Sequence, residues 1–308
     1  MIVLIWLGAL SVLAVAASAY APKSTFVTDT LSHFVLQGSI SAALLILLAI
    51  LNRVSGPVYL VLLLTYFLCV GRMWPFLIKG KKPPGLGTKI KLLQVNVLRT
   101  NKGTAPLRAL IRDENPDIIA VMEVNGAYEE MLRAQADVYP HQHILADYKT
   151  SWGIAVLSKW PLEALEVRYL GDPTIPSVFC KVTVDGRIVD VAAVHAHNPM
   201  KDFAARDREM AGLAAWFEKE QPAHLIVTGD FNATPYCAAL RDMTRRMQLR
   251  SARDGRSFLG TFPVYTQVPF LRLPIDHTLV SEGLIVADFR LGPDIGSDHF
   301  PTLTEIRW

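Results

Sequence analysis

Asn96, Glu123, His195, Asp230, Asn232, Asp276, Asp298 and His299 each stand at the end of a short apolar run or in the turn that opens one. The clearest run is Leu225-Ile226-Val227-Thr228-Gly229-Asp230-Phe231-Asn232, in which a β-branched segment meets a glycine and an acid and an amide follow, two residues apart. Alternation carried past the strand end turns Asp230 and Asn232 to the same side. Hard oxygen donors from Glu123, with Asn96 and Asp298 beside it, suit Mg²⁺ or Mn²⁺, ions that keep waters and bind phosphate oxygens. An imidazole held by a carboxylate, His299 by Asp276, keeps its orientation and charge for a phosphorane-like transition state. Asp230 is then the base that orients and deprotonates a water, Asn232 places that water or a phosphate oxygen, and His195 is a second donor to the phosphate or leaving group. Such a set performs metal-assisted phosphate-ester hydrolysis. Taken singly, each residue has a plainer account: Gly229-Asp230-Phe231-Asn232 as an Asx turn closing a buried strand, Glu123 as a solvated strand end. His195 and His197 have no further Cys or His cluster with which to complete a zinc site.

The elements that must position these residues are legible in outline. Strands are expected at 90–97, 117–124, 152–158, 176–184, 187–194, 225–230, 273–281 and 284–291, with a last strand after the Gly296-Ser297-Asp298-His299 turn. Asp185-Gly186 marks a two-residue hairpin between two of them. Helices are expected at 104–114, 126–137, 201–220 and 235–247. Phe203, Met210, Leu213, Ala214 and Phe217 form the core stripe of the third, on which Arg206 either reaches a phosphate or, more simply, lies on a solvated face. Leu259 to Leu273 is a long apolar, proline-rich loop that either packs on the domain or rims the site with a lipophilic surface facing a bilayer.

Of the 308 residues, 51% are hydrophobic, and the excess lies in the first 71, whose only Lys, Arg, Asp or Glu residues are Lys23, Asp29 and Arg53. Uncharged stretches at about 1–22, 34–52 and 54–71 approach the roughly 20 residues that cross a bilayer core, so 1–72 reads as a three-helix transmembrane region. The second and third stretches read as a hairpin, and the first as a retained helix rather than a cleaved signal. A basic Pro/Gly linker, 73–87, leads to a domain at 88–308 of roughly 220 residues, enough for a substantial core. Arg72, Lys79, Lys81, Lys82, Lys89 and Lys91 argue for a cytoplasmic domain by the positive-inside rule, whereas a first helix with its amino terminus inside puts the domain outside. The net charge of +3 is too small to argue for nucleic acid. Cys69, Cys180 and Cys237 have no metal-ligand spacing; a Cys180 to Cys237 bridge is left open.

Gln94-Val95-Asn96-Val97, Val121-Met122-Glu123, His195 before Pro199, Gly229-Asp230-Phe231-Asn232, Ile275-Asp276-His277 and Gly296-Ser297-Asp298-His299 occur in an order that resembles the endonuclease/exonuclease/phosphatase superfamily. The resemblance implies an α/β fold, a four-layer sandwich of two packed mixed sheets flanked by helices, with Glu123 as principal Mg²⁺ ligand. The three-helix leader and Asn96-Val97-Leu98-Arg99 are most similar to membrane-anchored VanJ-like members, which implies a multi-pass cell-membrane protein with an extracytoplasmic domain acting on a lipid-linked pyrophosphate.

The sequence therefore carries a first reading, a membrane-anchored Mg²⁺-dependent phosphoesterase (Mn²⁺ as alternative ion) acting on a lipid-linked or other small phosphoester. It carries two others: a membrane-tethered metal-dependent nuclease, and a non-catalytic phosphate-binding module. The tyrosine and second glutamate that some nucleases of the superfamily add near the scissile phosphate have no counterpart that can be placed here.

Overall fold

The computed structural model describes residues 1–308 except 55, 79–86 and 258. Lys79, Lys81, Lys82 and Pro83-Pro84-Gly85-Leu86 of the expected linker lie outside the described residues. The chain begins with four helices, α1 (Ile2–Ser18), α2 (Phe26–Ser32), α3 (Val35–Leu51) and α4 (Pro57–Leu77). There follow β1 (Lys89–Asn96), α5 (Ala105–Glu114), β2 (Ile118–Met122), α6 (Gly126–Arg133), β3 (His141–Leu145), β4 (Ile154–Ser158), β5 (Glu163–Arg168), β6 (Ser177–Val184) and β7 (Arg187–His195). The last part comprises α7 (Pro199–Glu220), β8 (Leu225–Asp230), α8 (Ala238–Arg246), β9 (Arg250–Ser251), a 3₁₀ turn (Pro269–Leu271), β10 (Asp276–Val280), β11 (Ile285–Leu291) and β12 (Thr302–Arg307).

The strands form two six-stranded mixed sheets, ordered β11-β12-β1-β2-β4-β3 and β5-β6-β7-β8-β10-β9. Strand alternation decides which residues face which layer. Ile90, Leu92, Ile118, Ala120 and Met122 of the first sheet meet Val189, Val191, Ala193, Ile226 and Val280 of the second in one apolar core. The opposite parity, Leu93, Val95, Ile119 and Val121, packs under α5 and α6, while Ala192, Val194, Leu225, Val227 and Leu279 pack under α7 and α8. The result is a sandwich of helices, sheet, sheet and helices, in which each fully buried Val, Leu or Ile contributes about 1.5–3 kcal/mol.

The same parity explains the site. Past Leu92, β1 carries Gln94 and Asn96 on the inter-sheet face; past Ala193, β7 carries His195; past Ile226, β8 carries Thr228 and Asp230. In β10 the order reverses, with Asp276 and Thr278 preceding Val280, as an antiparallel neighbour requires. One end of the inter-sheet layer is therefore polar.

Several elements differ from expectation. α8 begins at Ala238 rather than at residue 235, because Thr234 to Cys237 close a turn in which the Cys237 amide donates to Thr234 O at 3.0 Å. β3 and β5 are half-buried or exposed edge strands without clean alternation, and β5 is bulged, so neither announces itself in sequence. α2 was not anticipated, and α4 runs on to Leu77. Among the described residues α4 is long and apolar enough to cross a membrane; α2 and α3 qualify only together, bent by 69°. α1, at 17 residues, is apolar but shorter. All three cysteines are buried and free, so Cys180 and Cys237 form no bridge.

Candidate active site

The registers set the polar residues side by side. His195 lies opposite Asp230 across the parallel β7–β8 pair, and Asp276 lies opposite Asp230 across the antiparallel β8–β10 pair. Between the β7 and β8 tips the backbones come so close that a Cβ on Gly229, whose φ is +150°, would stand 1.8 Å from Val194 O. No L-residue fits there, which fixes the glycine of the Gly-Asp-Phe-Asn segment. Glu123 follows Met122 of the inner face, so strand parity alone would send it outward; its φ of 63° departs from the strand path and its side chain lines the cleft. A left-handed non-glycine at a strand end is strain of the sort that functional sites retain.

The cleft, about 420 Å³, is lined by Glu123, His195, Asp230, Asn232, Asp298 and His299, and also by Arg99, Lys149, Lys201, Trp152 and Phe262. Asn96 Nδ2 donates to Glu123 Oε1 and to Asp230 Oδ2, both at 3.1 Å, and so ties the two acids together. The second Glu123 oxygen accepts the Arg99 amide at 2.8 Å. His299 Nδ1 meets Asp276 Oδ2 at 2.8 Å, as expected for an imidazole held by a carboxylate. Its Nε2 lies 3.7 Å from Asp230 Oδ2, and His195 Nε2 lies 3.8 Å from the same oxygen. Asn232 donates its backbone amide to Asp230 Oδ1 at 2.9 Å and its side-chain amide to Ala196 O at 2.9 Å. The His195 ring packs on Trp152 at 5.1 Å between centroids, and His197, on the neighbouring loop, packs on the same indole at 5.1 Å.

Charge states follow from burial and neighbours. Burial would lower the His299 pKa, but the charges of Asp276 and Asp230 outweigh it and push the ring up to about 10, so it is an imidazolium at neutral pH. Asp276 is correspondingly held below the usual carboxylate range: burial raises it, and the His299 charge and hydrogen bond lower it further. Burial lifts Asp230 to about 7, partly opposed by His299. His195, without a directly bonded carboxylate, is lowered by burial to about 4 and is neutral. Two imidazoles at one carboxylate thus carry different charges, which separates a fixed cation from a neutral donor or acceptor.

Asp298 holds a buried oxygen, Oδ1, that has no hydrogen-bond partner among the described residues. Burial pushes its pKa up, the His299 charge lowers it and the neighbouring Glu123 raises it. His299 Nε2 stands 4.0 Å from that oxygen, beyond hydrogen-bond reach; a buried carboxylate oxygen without a hydrogen bond beside a second acid is costly, and a divalent cation would relieve it. Glu123 and Asp298 therefore offer Mg²⁺ or Mn²⁺ hard oxygens, while the Asn96 side chain, expected as a third ligand, turns Nδ2 to Glu123 and accepts the Leu98 amide on Oδ1 at 3.0 Å. Asp230, Asp276 and His299 also lie close enough to share an ion. Their atoms are already committed, however: Asp276 Oδ1 accepts from Gln94 at 2.8 Å and Oδ2 from His299, so this trio reads as a proton-sharing cluster.

Two contributors escaped the sequence reading. Gln94 spans the sheets, donating to Asp276 while its Oε1 accepts from Thr302 at 2.8 Å; its parity with Asn96 was the available signal. Arg253 is fully buried and donates to Asp276 O at 3.1 Å; nothing local in the sequence marks it. Arg206 corrects an expectation. It neither reaches the cleft nor lies on a solvated face, but is buried against Asp29 of α2, with 2.8 Å from Nη1 to Oδ2 and from Nη2 to Oδ1.

Similarity to known proteins agrees with this geometry. No curated protein sequence matches the chain. Among solved structures it is similar to a humanized D. rerio TDP2, with 15% identity and a TM-score of 0.60 over 71% of this chain and 99% of that one. A 3′ phosphatase, NExo, from Neisseria, solved with a product DNA hairpin, gives 21% identity and a TM-score of 0.56 over 71% of this chain and 100% of that one. Sphingomyelinase C from Streptomyces griseocarneus gives 20% identity and a TM-score of 0.53 over 71% and 99%. At these identities the likeness is one of fold. Residues 93–299 match the Endonuclease/Exonuclease/phosphatase family, a span that takes in every cleft residue named above and none of the N-terminal helices. With its sandwich, its histidine–aspartate pairs and that match, the chain belongs to the endonuclease/exonuclease/phosphatase family, whose members are metal-dependent phosphoester hydrolases.

Proposed function

We propose that this chain is a membrane-anchored, Mg²⁺-dependent phosphoesterase whose substrate is a lipid-linked pyrophosphate or similarly small phosphoester. The observation that carries the reading is the seating of the cleft rim on an apolar helix. Phe262 walls the cleft and packs on His299 at 4.9 Å between centroids. Its loop continues to the Pro269–Leu271 turn, where Gln37 Nε2 of α3 donates to Phe270 O at 2.8 Å. Phe270 and Leu271 are exposed there, as are Leu44, Leu47 and Leu48 along α3. A substrate with a phosphate head and an apolar tail would meet charge and apolar surface in that order. Arg99, Lys149 and Lys201 in the cleft suit an anion of more than one phosphate. On this reading α1, α3 and α4 cross the bilayer, and the domain lies outside the cytoplasm.

The residues divide the work as follows. Glu123 and Asp298, with Asn96 holding Glu123 in place or turning its amide to lend an oxygen, would hold Mg²⁺ or Mn²⁺, which would draw charge from a phosphoryl oxygen. Asp230 takes a proton from the attacking water, Asn232 orients that water or a phosphate oxygen, and the His299 imidazolium faces the charge that builds on phosphorus. His195, being neutral, donates to the phosphate or leaving group. A membrane-tethered nuclease is the second reading, favoured by the basic residues beside Trp152, which could stack on a base, and by the Neisseria relative's product DNA hairpin.

The test is Mg²⁺-dependent release of inorganic phosphate from an isoprenyl pyrophosphate by detergent-purified protein and its Asp230→Ala variant, beside single- and double-stranded DNA. Phosphate release lost in Asp230→Ala is the expected result. Cleavage of DNA without turnover of the lipid would promote the nuclease and sink the lipid reading. A reporter fused after Trp308 assigns the side of the membrane.

A further inference from the structure

Several contacts between the N-terminal helices and the domain gather around one short segment, residues 231–237, which leads from Asp230 through Asn232 to α8, and around its neighbours Arg206 and Arg241. Asp29 and Arg206 form a buried bidentate pair, 2% and 0% exposed. The Cys237 thiol donates to Asp29 Oδ1 at 2.8 Å, and Arg206 Nη1 reaches Asn232 O at 3.4 Å. One turn along, His33 Nδ1 lies 3.3 Å from the Thr234 amide, which can only donate, so that nitrogen carries the lone pair. The other nitrogen, Nε2, then bears the proton and faces Asp29 Oδ2 at 3.4 Å. Tyr236 meets Phe76 of α4 edge to face at 6.1 Å, and Arg241 donates to Ala21 O at 2.6 Å. The domain holds this segment too, through the Phe231 amide on Ile275 O at 3.0 Å and His277 Nε2 beside Ala233 O at 2.8 Å, and the N-terminal helices add a second set of holds.

We infer that Asp29 and His33 are positioning residues for the phosphoester chemistry: through Arg206, Cys237 and Thr234 they fix the backbone of the segment that carries Asn232. The N-terminal helices are on this account part of the catalytic apparatus and more than an anchor, whatever the substrate. Neither residue touches the cleft. Their leverage comes from Asn232. Ala196 O and Asp230 Oδ1 hold its side chain and amide. Its carbonyl, in a left-handed turn of φ 47°, is reached by Arg206 Nη1, so moving Arg206 shifts the backbone from which that side chain projects.

The test uses the full chain in detergent. His33→Ala removes the acceptor of the Thr234 amide and leaves the Asp29–Arg206 pair in place, so it keeps the test alive if Asp29→Asn fails to fold. The expected result in both variants is that amide exchange across 231–237 speeds up by about tenfold or more, while β2 stays as protected as in the unaltered protein. With bis(p-nitrophenyl) phosphate as the probe, kcat falls by on the order of tenfold or more and KM stays within about twofold, since a misplaced Asn232 costs the transition state rather than binding. Asp29→Asn combined with Arg206→Gln should lose no more kcat than the worse single variant, because both act through one linkage. Unchanged exchange across 231–237 in His33→Ala, with β2 protected, overturns the clamp. Faster exchange with kcat intact, or a loss confined to melting temperature, overturns the positioning role. The exchange readout decides without any substrate.

Discussion

The molecule contains two buried acid–base clusters on either side of the segment that follows β8, and they are built to opposite ends. At one, Asp230 and His299 face an open cleft with Asp276 buried behind them, Asp230 is driven up to about 7, and Asp298 beside them keeps an oxygen without a hydrogen bond. At the other, Asp29 and Arg206 close on each other. Burial would raise Asp29, but hydrogen bonds from His33 and Arg206 pull it far below the usual carboxylate range, and Arg206 is held above its ordinary value by the same partner. Buried charge by itself does not mark a reactive site. Strained ionisation with an opening onto solvent does, whereas full mutual satisfaction marks a joint.

The comparison can be broken by substitution. Asp230→Ala should reduce hydrolysis by on the order of 10³-fold or more, with folding kept, since a carboxylate disfavoured by burial contributes little to stability; rate and melting temperature measured together check it. At the joint the balance is reversed. Asp29→Ala should cost about 3 kcal/mol by leaving the buried Arg206 with only Asp207, yet Asp29→Leu with Arg206→Met should recover much of that, as replaced buried pairs do; denaturant midpoints of the three proteins decide. If the single change is harmless, the joint is not a joint.

Glu209, 7% exposed and accepting the His197 amide at 2.7 Å, sharpens the contrast between satisfied and strained acids. Burial lifts its pKa to about 7 from an unfolded value of 4.5. The folded state therefore binds the extra proton between those values, so its share of stability is present below pH 4.5 and is lost as pH rises towards 7. Glu209→Gln should remove that slope, leaving the variant more stable than the unaltered chain at pH 8 by up to roughly 3 kcal/mol; melting temperature against pH reads it. The smallest effect concerns the metal. Asp298→Asn should raise the Mg²⁺ concentration for half-maximal activity by about tenfold or more, whereas Asp29→Asn should leave it unchanged.

Much of the site was legible because period-2 alternation and position at a strand end are local facts. Asn96, His195, Asp230 and Asp276 all share the inward parity of the apolar residues before or after them, so reading the strand was enough. Gln94 obeys the same rule and was passed over because it is hidden beneath the site. Glu123 breaks the rule through a left-handed backbone, and its place at the end of an apolar run, not its parity, revealed it. Arg206 was misread for a different reason: helical periodicity can tell a core stripe from its opposite face, but the partner that buries Arg206 lies 177 residues earlier. α2 was invisible for the same cause, its polar face making sense only against the domain.

That separation sets an order of events during synthesis. Asp29 and His33 leave the ribosome long before their partners, with Cys237 following 208 residues after Asp29 and Thr234 following 201 after His33. Until β7 and α7 have been made, the acid has no cation, and until β8 has entered its sheet, the turn that His33 grips does not exist. The helices at the amino terminus therefore cannot finish folding first, although they are made first. Expressed by itself, the domain would present Arg206 with only Asp207 to answer its charge.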